Sequence, residues 1–222
     1  MHSSFEKLAL LKNKIKEIVG EKQLKNDPKI IVVTKTFSLN KIIPLLDSGH
    51  LHFGENKIQE AESKWIEAKN HLENFQLHMI GQLQTNKVKK AVKLFDYIHS
   101  LDNDKLAIKL HQYQNELSKK IKLFIQVNLS GEKQKTGIML NEVNHFYNYC
   151  TKELSLNVIG LMCLPPIDAN SQEYFELLKK TAGKLNLKEL SMGMSSDFEQ
   201  AILNGSTYLR LGTLILGKRN LT

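Results

Sequence analysis

Eight short apolar runs recur along this chain, separated by longer amphipathic stretches, and that alternation is the strongest constraint on its fold. The runs predict strands at 30–34, 51–53, 77–80, 97–100, 121–127, 157–161, 189–192 and 207–210. Between them the spacing of apolar residues predicts helices at 39–48, 57–69, 86–94, 103–118, 141–151, 171–184 and 197–203, with a further helix at about 4–20 before the first strand. Strands that alternate with helices imply βαβ units and a parallel sheet. Eight of them point to a closed (β/α)8 TIM barrel with an extra N-terminal helix, and a doubly wound open sheet is the alternative. The 222 residues sit near the low end of the barrel's usual range of roughly 200 to 400. No low-complexity linker or Pro/Gly/Ser stretch divides the sequence, so residues 1–222 are read as one domain.

The composition is that of an ordinary globular protein: 41% hydrophobic, with a mean hydropathy of −0.30. No run approaches the length of a membrane span, and the first residues, Met1-His2-Ser3-Ser4-Phe5-Glu6, contain no apolar signal core. Two cysteines, Cys150 and Cys163, suit neither a disulfide framework nor a metal site. The expected compartment is the cytoplasm. A net charge of +8 raises the question of nucleic acid. However, Arg210 and Arg219 are the only arginines, and the forked guanidinium is the group that reads bases and grips phosphates bidentately. The lysines are spread along the chain with no recognition motif, so no specific nucleic-acid partner is expected.

One lysine stands apart from the other 28. Lys35 follows Ile30-Ile31-Val32-Val33-Thr34, a run that reads as a buried parallel strand. Barrel chemistry is placed at strand carboxyl ends. Desolvation there disfavours an ammonium and favours the free amine that attacks carbonyls. A lysine that simply snorkels to solvent is the plainer reading.

Other segments sharpen the picture. Ser191-Met192-Gly193-Met194-Ser195-Ser196-Asp197-Phe198-Glu199 runs from strand through a turn into a helix, and Ser196 and Glu199 have capping-box spacing. Amides and hydroxyls at such a turn make a phosphate site, or the serines merely cap. Tyr208-Leu209-Arg210-Leu211-Gly212-Thr213 puts an arginine at a strand end, followed by a glycine that permits close backbone approach and a hydroxyl. In barrels the loops after strands 7 and 8 often hold phosphate. Phe53-Gly54-Glu55-Asn56 ends strand 2, with Asn56 able to meet a ring hydroxyl or to serve as an N-cap with Gln59. His78 lies inside an apolar strand, where a histidine is more often a hydrogen-bonded core residue than a catalyst. Met162 reads as core, and residues 130–137 read as a solvated loop. An aldehyde-capturing lysine, a phosphate cradle and an arginine facing an aromatic nitrogen match the three groups of pyridoxal 5'-phosphate (PLP).

These residues resemble the pyridoxal phosphate homeostasis protein family, which is similar to the amino-terminal barrel of alanine racemase. The resemblance covers nearly the whole chain. It rests on Val33-Thr34-Lys35-Thr36, Phe53-Gly54-Glu55-Asn56, His78-Met79-Ile80-Gly81-Gln82-Leu83-Gln84, Gly160-Leu161-Met162, Ser191-Met192-Gly193-Met194-Ser195 and Arg210-Leu211-Gly212-Thr213. It implies that Lys35 is the Schiff-base lysine and that Ser195, Gly212 and Thr213 hold the phosphate. It also implies that Arg210 faces the pyridine nitrogen and that Asn56 and Met194 lie near the cofactor. Gln82 and Leu216 depart from the family pattern, where His or Pro and Phe are usual.

The resemblance implies a PLP-binding protein of vitamin B6 homeostasis. An arginine only donates, so the ring nitrogen stays unprotonated and the ring is a weak electron sink. Only 12 residues follow Arg210, which leaves no room for the second domain that gives racemases their other base. The expectation is a non-catalytic, monomeric carrier with no metal and no catalytic residues, which delivers PLP to apoenzymes. A minimal PLP-dependent racemase or lyase is the alternative. A third reading is an imine-forming aldolase or phosphosugar isomerase, disfavoured because no carboxylate is clearly paired with Lys35.

Overall fold

The computed structural model describes residues 3–71, 74–132, 134–166 and 169–218. Lys133 of the 130–137 loop, Arg219 and the first two residues lie outside that set. The strands are β1 (Lys29–Val33), β2 (His52–Glu55), β3 (Gln76–Met79), β4 (Tyr97–Leu101), β5 (Lys122–Asn128), β6 (Ile138–Met139), β7 (Val158–Met162), β8 (Glu189–Ser191) and β9 (Tyr208–Leu211). All pair in parallel. Eight of them form a ring in the order β1-β2-β3-β4-β5-β7-β8-β9, with β6 added beside β5. Pairing of β1 with β9 closes the ring, with Ile31 opposite Arg210 and Val32 opposite Leu211, so the fold is a (β/α)8 barrel and not an open sheet.

The apolar runs explain the strands. In β1, Ile31 points into the barrel and packs with Tyr97, Phe124, Met162 and Tyr208. Its neighbours Ile30 and Val32 point outward into the layer between barrel and helices. A strand buried on both faces has no polar alternation, which is why the run is continuous. The helices are α1 (Ser4–Glu21), α2 (Leu39–Asp47), α3 (Ile58–His71), α4 (Val88–Leu94), α5 (Asp104–Glu116), α6 (Val143–Asn148), α7 (Ser171–Lys184), α8 (Phe198–Leu203) and α9 (Thr213–Leu216). Helix α1 is the extra N-terminal helix. Ser3 caps it in a complete capping box with Glu6, and it buries Leu8, Leu11 and Ile15.

Every predicted strand is present to within two residues. The two-residue strand β6 and the single turn of α9 are too short for periodicity to reveal. Helix α6 stops early and continues as a π-helical turn, Tyr149–Glu153. The 130–137 loop is tied down by side chains of β5: Gln126 donates to Thr136 Oγ1 at 2.7 Å, and Asn128 donates to the carbonyls of Glu132 and Lys135. Among the described residues no helix is long and apolar enough to cross a membrane.

Candidate functional site

The sequence-predicted residues come from four consecutive strands of the ring. Asn56 follows β2, Lys35 follows β1, Arg210 lies in β9 with Gly212 and Thr213 just beyond it, and Met194 and Ser195 follow β8. All are at carboxyl ends, so the fold gathers them on one arc of the barrel mouth. The loop after β8 is drawn to β9 directly, since the Arg210 N–H donates to the Gly193 carbonyl at 2.9 Å.

Lys35 sits in a turn two residues past the end of β1 and is half-buried. The turn is fixed on both sides of it. Before it, Thr34 is fully buried; its hydroxyl donates to Glu55 Oε1 at 2.7 Å, and its carbonyl accepts from Lys64 Nζ at 2.7 Å. After it, Thr36 has a φ of 69°, the left-handed region that a β-branched residue avoids, and its N–H donates to the Glu60 carboxylate. Lys64 also bonds Glu55 at 2.8 Å and Glu60 at 3.2 Å. A buried ion pair beside the turn therefore holds Thr36, the residue after Lys35, in a conformation that its β-branched side chain does not favour.

Glu55 is the centre of that network and was not singled out from sequence. Its Oε1 accepts from Thr34, Lys64 and Trp65 Nε1, while Oε2 is buried without a hydrogen-bond partner. Replacing it by glutamine keeps the volume but removes the anion beside Lys64. We expect Glu55→Gln to cost about 2 kcal/mol of stability, as for a hydrogen bond to a charged group. Denaturation followed by the fluorescence of Trp65, the one tryptophan in the chain, checks this. An unchanged midpoint would show that the network does not carry the turn.

Two cap assignments change. Helix α3 starts at Ile58 and the Ala61 N–H bonds the Lys57 carbonyl, so Asn56 lies one residue upstream of the cap position. Helix α8 starts at Phe198 with Asp197 as its N-cap. Asp197 Oδ1 accepts from the Met194 N–H at 2.6 Å, and Glu199 pairs with Lys14 of α1 instead of closing a box with Ser196. Asp197 takes the cap position one residue later and turns its side chain back to the Met194 N–H, so Ser196 lies upstream of the cap. Asn56 is half-buried, with its backbone pressed against Gly81, where a Cβ would lie 2.3 Å from the Asn56 carbonyl oxygen. At Gly212 a Cβ would meet Val33 of β1 at 3.2 Å, so that glycine also serves the close packing of β9 on β1.

Arg210 is 5% exposed. Its guanidinium donates to Ser191 Oγ at 2.7 Å and to the Cys163 carbonyl at 2.9 Å. Both partners are neutral, and among the described residues no carboxylate lies within ion-pairing distance. The Cys163 thiol remains protonated, its pKa pushed up to about 12 chiefly by burial. In the sequence Ser191 is only the residue before a turn, and its grip on Arg210 is visible only in three dimensions. His78 is buried with both ring nitrogens bonded, as a core histidine should be. Met162 is core, and Gln82, Gln84 and Asn86 are exposed.

Residues 7–220 match the family model described as the alanine racemase N-terminal domain. The pyridoxal phosphate homeostasis protein of Synechocystis is 36% identical over 200 residues, covering 86% of this chain and 91% of that protein. The one from Aquifex aeolicus is 36% identical, covering 87% and 88%. Among solved structures, PipY of Synechococcus elongatus with PLP bound superposes with a TM-score of 0.80 at 32% identity, covering 91% of this chain and all of that one. Diaminopimelate decarboxylase of Helicobacter pylori, at 16% identity and a TM-score of 0.70, shares the fold alone. The chain belongs to the alanine racemase N-terminal domain family and groups within it with the pyridoxal phosphate homeostasis proteins.

Proposed function

We propose that the protein binds PLP, holds it reversibly on Lys35 and serves vitamin B6 homeostasis as a carrier without catalytic turnover. The observation that carries this reading is Arg210. A buried cation normally has an anion beside it, because desolvating an unpaired charge is costly. The Arg210 guanidinium is instead anchored by neutral groups at the mouth side of the barrel, one strand from the Lys35 turn, and Asp197 acts on it only from beyond ion-pairing distance. An acceptor from a ligand answers that demand, and PLP offers a ring nitrogen together with an aldehyde and a phosphate. The donor set therefore fits the cofactor.

Bound there, PLP would supply an aldehyde that condenses reversibly with an amine to a Schiff base. Lys35 is the amine, held by the Glu55–Lys64–Glu60 network. The Ser195 hydroxyl, the backbone N–H groups at Gly212 and Thr213 and the Thr213 hydroxyl would hold the phosphate. Arg210 would donate to the ring nitrogen, with Asn56 and Met194 beside the ring. Because arginine keeps its proton, that nitrogen remains unprotonated, which works against carbanion chemistry. The Cys163 thiol, with its raised pKa, is a poor second acid or base. The homeostasis names of the relatives and the PLP in PipY support the same reading.

The double variant Ser195→Ala/Arg210→Ala should weaken PLP binding at least about tenfold, since two charge-assisted contacts are removed. Equilibrium titration followed by cofactor absorbance measures it, and unchanged affinity would overturn the assignment of phosphate and nitrogen contacts. Residues 1–222 act as a single PLP-binding domain, in the cytoplasm, as a monomer that hands PLP to dependent apoenzymes. Light scattering on the purified protein checks the monomer; a dimer mass would exclude it.

A further inference from the structure

Three histidines form a continuous hydrogen-bonded column through the barrel, and it ends on Arg210. His52 of β2 meets His78 of β3, Nδ1 to Nε2, at 3.0 Å. His78 Nδ1 meets His99 Nε2 of β4 at 2.9 Å. His99 Nδ1 meets Ser191 Oγ of β8 at 2.8 Å, and Ser191 Oγ meets Arg210 at 2.7 Å. Strands β4 and β8 are not neighbours in the ring, so the His99–Ser191 bond crosses the barrel interior. Stacking fixes the rings: His78 lies on Tyr97 with centroids 4.2 Å apart and 16° between planes, and His99 lies on Phe124 at 4.3 Å and 17°. Barrel interiors are ordinarily filled with branched aliphatic side chains, which need no partners. A polar column is the costlier filling, but when every member is satisfied it is rigid and uniquely arranged.

Arg210 can only donate, which fixes one end of the column. Its Nη1–H donates to Ser191 Oγ, and among the described residues His99 Nδ1 is the one acceptor within reach of the Ser191 O–H, so that hydroxyl satisfies its proton by donating to His99. His99 then carries its proton on Nε2 and donates to His78 Nδ1. His78 in turn carries its proton on Nε2 and donates to His52 Nδ1. All three rings are neutral Nε2–H tautomers. Burial lowers the pKa of His78 and His99 well below the ordinary histidine value, in keeping with neutral rings. The column is no proton channel to the cofactor site, because the group at its end does not release a proton.

We propose that His99 and Ser191, backed by His78 and His52, are positioning residues that hold the Arg210 guanidinium in the orientation it presents to the ligand. This rests on the reading that Arg210 meets the PLP ring nitrogen, and it deepens that reading by naming what aims the arginine. Among the described residues the only other anchor of that guanidinium is a backbone carbonyl, that of Cys163, so Ser191 is its side-chain anchor.

Two measurements on the full-length protein test the proposal. The first needs no ligand. With two arginines in the sequence, guanidinium nitrogen NMR resolves Arg210 readily. The wild type should show separate, slowly exchanging Nη signals for one arginine, and imidazole nitrogen NMR should show His99 and His78 as Nε2–H tautomers. His99→Phe keeps a stacking ring but removes the acceptor, and Ser191→Ala removes the hydroxyl; each should collapse the Arg210 signals by averaging. His99→Asn, which returns an acceptor near the Nδ1 position, should restore them. Nδ1–H tautomers in the wild type, or Arg210 signals indifferent to both variants, would overturn the positioning role.

The second measurement uses PLP. The His99→Phe and Ser191→Ala proteins should release PLP about tenfold faster than wild type, the loss expected for one misaligned charge-assisted hydrogen bond, and their visible band should titrate at a different pH. His99→Asn should stay near wild type in both respects. Identical release and spectra in all four proteins would sink the proposal while leaving the PLP reading intact. Failure of the wild type itself to take up PLP would sink the PLP reading, and the NMR result would still decide whether the column orders Arg210.

Discussion

Lys35→Ala should bind PLP but lose all covalent attachment. After borohydride treatment the wild type should carry one PLP on Lys35, while the variant carries none there. The variant's affinity should fall without vanishing, because the contacts from Ser195, Gly212, Thr213 and Arg210 do not pass through Lys35. Arginine at position 35 should behave like alanine, since a guanidinium keeps its positive charge and is no nucleophile at neutral pH. The fold should survive both changes: Lys35 is half-buried in a turn whose backbone is held by Thr34, Lys64 and Glu60. Full retention of a borohydride-fixed adduct in Lys35→Ala would move the amine elsewhere. Among the 28 other lysines, Lys64 is the nearest buried candidate by sequence and network, but its ammonium already serves Thr34, Glu55 and Glu60.

Stability should fall steeply as the pH drops below about 6.5. His50 and His52 have pKa values lowered to about 4, first by burial and then by nearby lysines. His78 and His99 are completely buried and lie well below the ordinary value of 6.5, again first by burial, with His99 also facing Arg210. The folded pKa of each is therefore below its unfolded pKa. Between the two values the unfolded chain binds protons that the folded one refuses, so the linkage penalises the fold as acid is added. Above pH 6.5 neither state is charged at these sites and the effect disappears. While only the unfolded chain is protonated, each such histidine costs the fold about 1.4 kcal/mol per pH unit, and His78 and His99 add to one another. Against a typical total of roughly 5 to 15 kcal/mol, that is a large share. Urea denaturation at pH 7, 6 and 5 measures it directly. A flat midpoint over that range would mean that the histidines are charged in the folded state, which contradicts the neutral column.

Much of the architecture was legible because buried parallel strands advertise themselves. The run Ile30-Ile31-Val32-Val33 has no polar alternation since both its faces are covered. Lys35 and Arg210 stood out for related reasons, one as a lysine closing an apolar run and the other as one of two arginines. Gathering of Asn56, Lys35, Arg210, Gly212, Thr213, Met194 and Ser195 on one arc follows from strand order alone. What stayed hidden was whatever depends on contacts between distant strands. His52, His78 and His99 are spaced by more than 20 residues each, and nothing local says that their rings touch. Glu55 sat beside the more conspicuous Asn56, and its role appears only when α3 brings Lys64 and Trp65 to it. The capping box at Ser196 and Glu199 failed because a local spacing rule cannot see that Asp197 reaches back to the Met194 N–H or that α1 supplies Lys14.

Whether this barrel holds PLP through Lys35 is decided by the visible spectrum of the purified protein with added PLP, before and after borohydride, followed by peptide mapping. The expected result is a yellow band that borohydride abolishes, with the added mass on the peptide containing Lys35. Absence of the band, or label scattered over surface lysines with Lys35 unmodified, would contradict it.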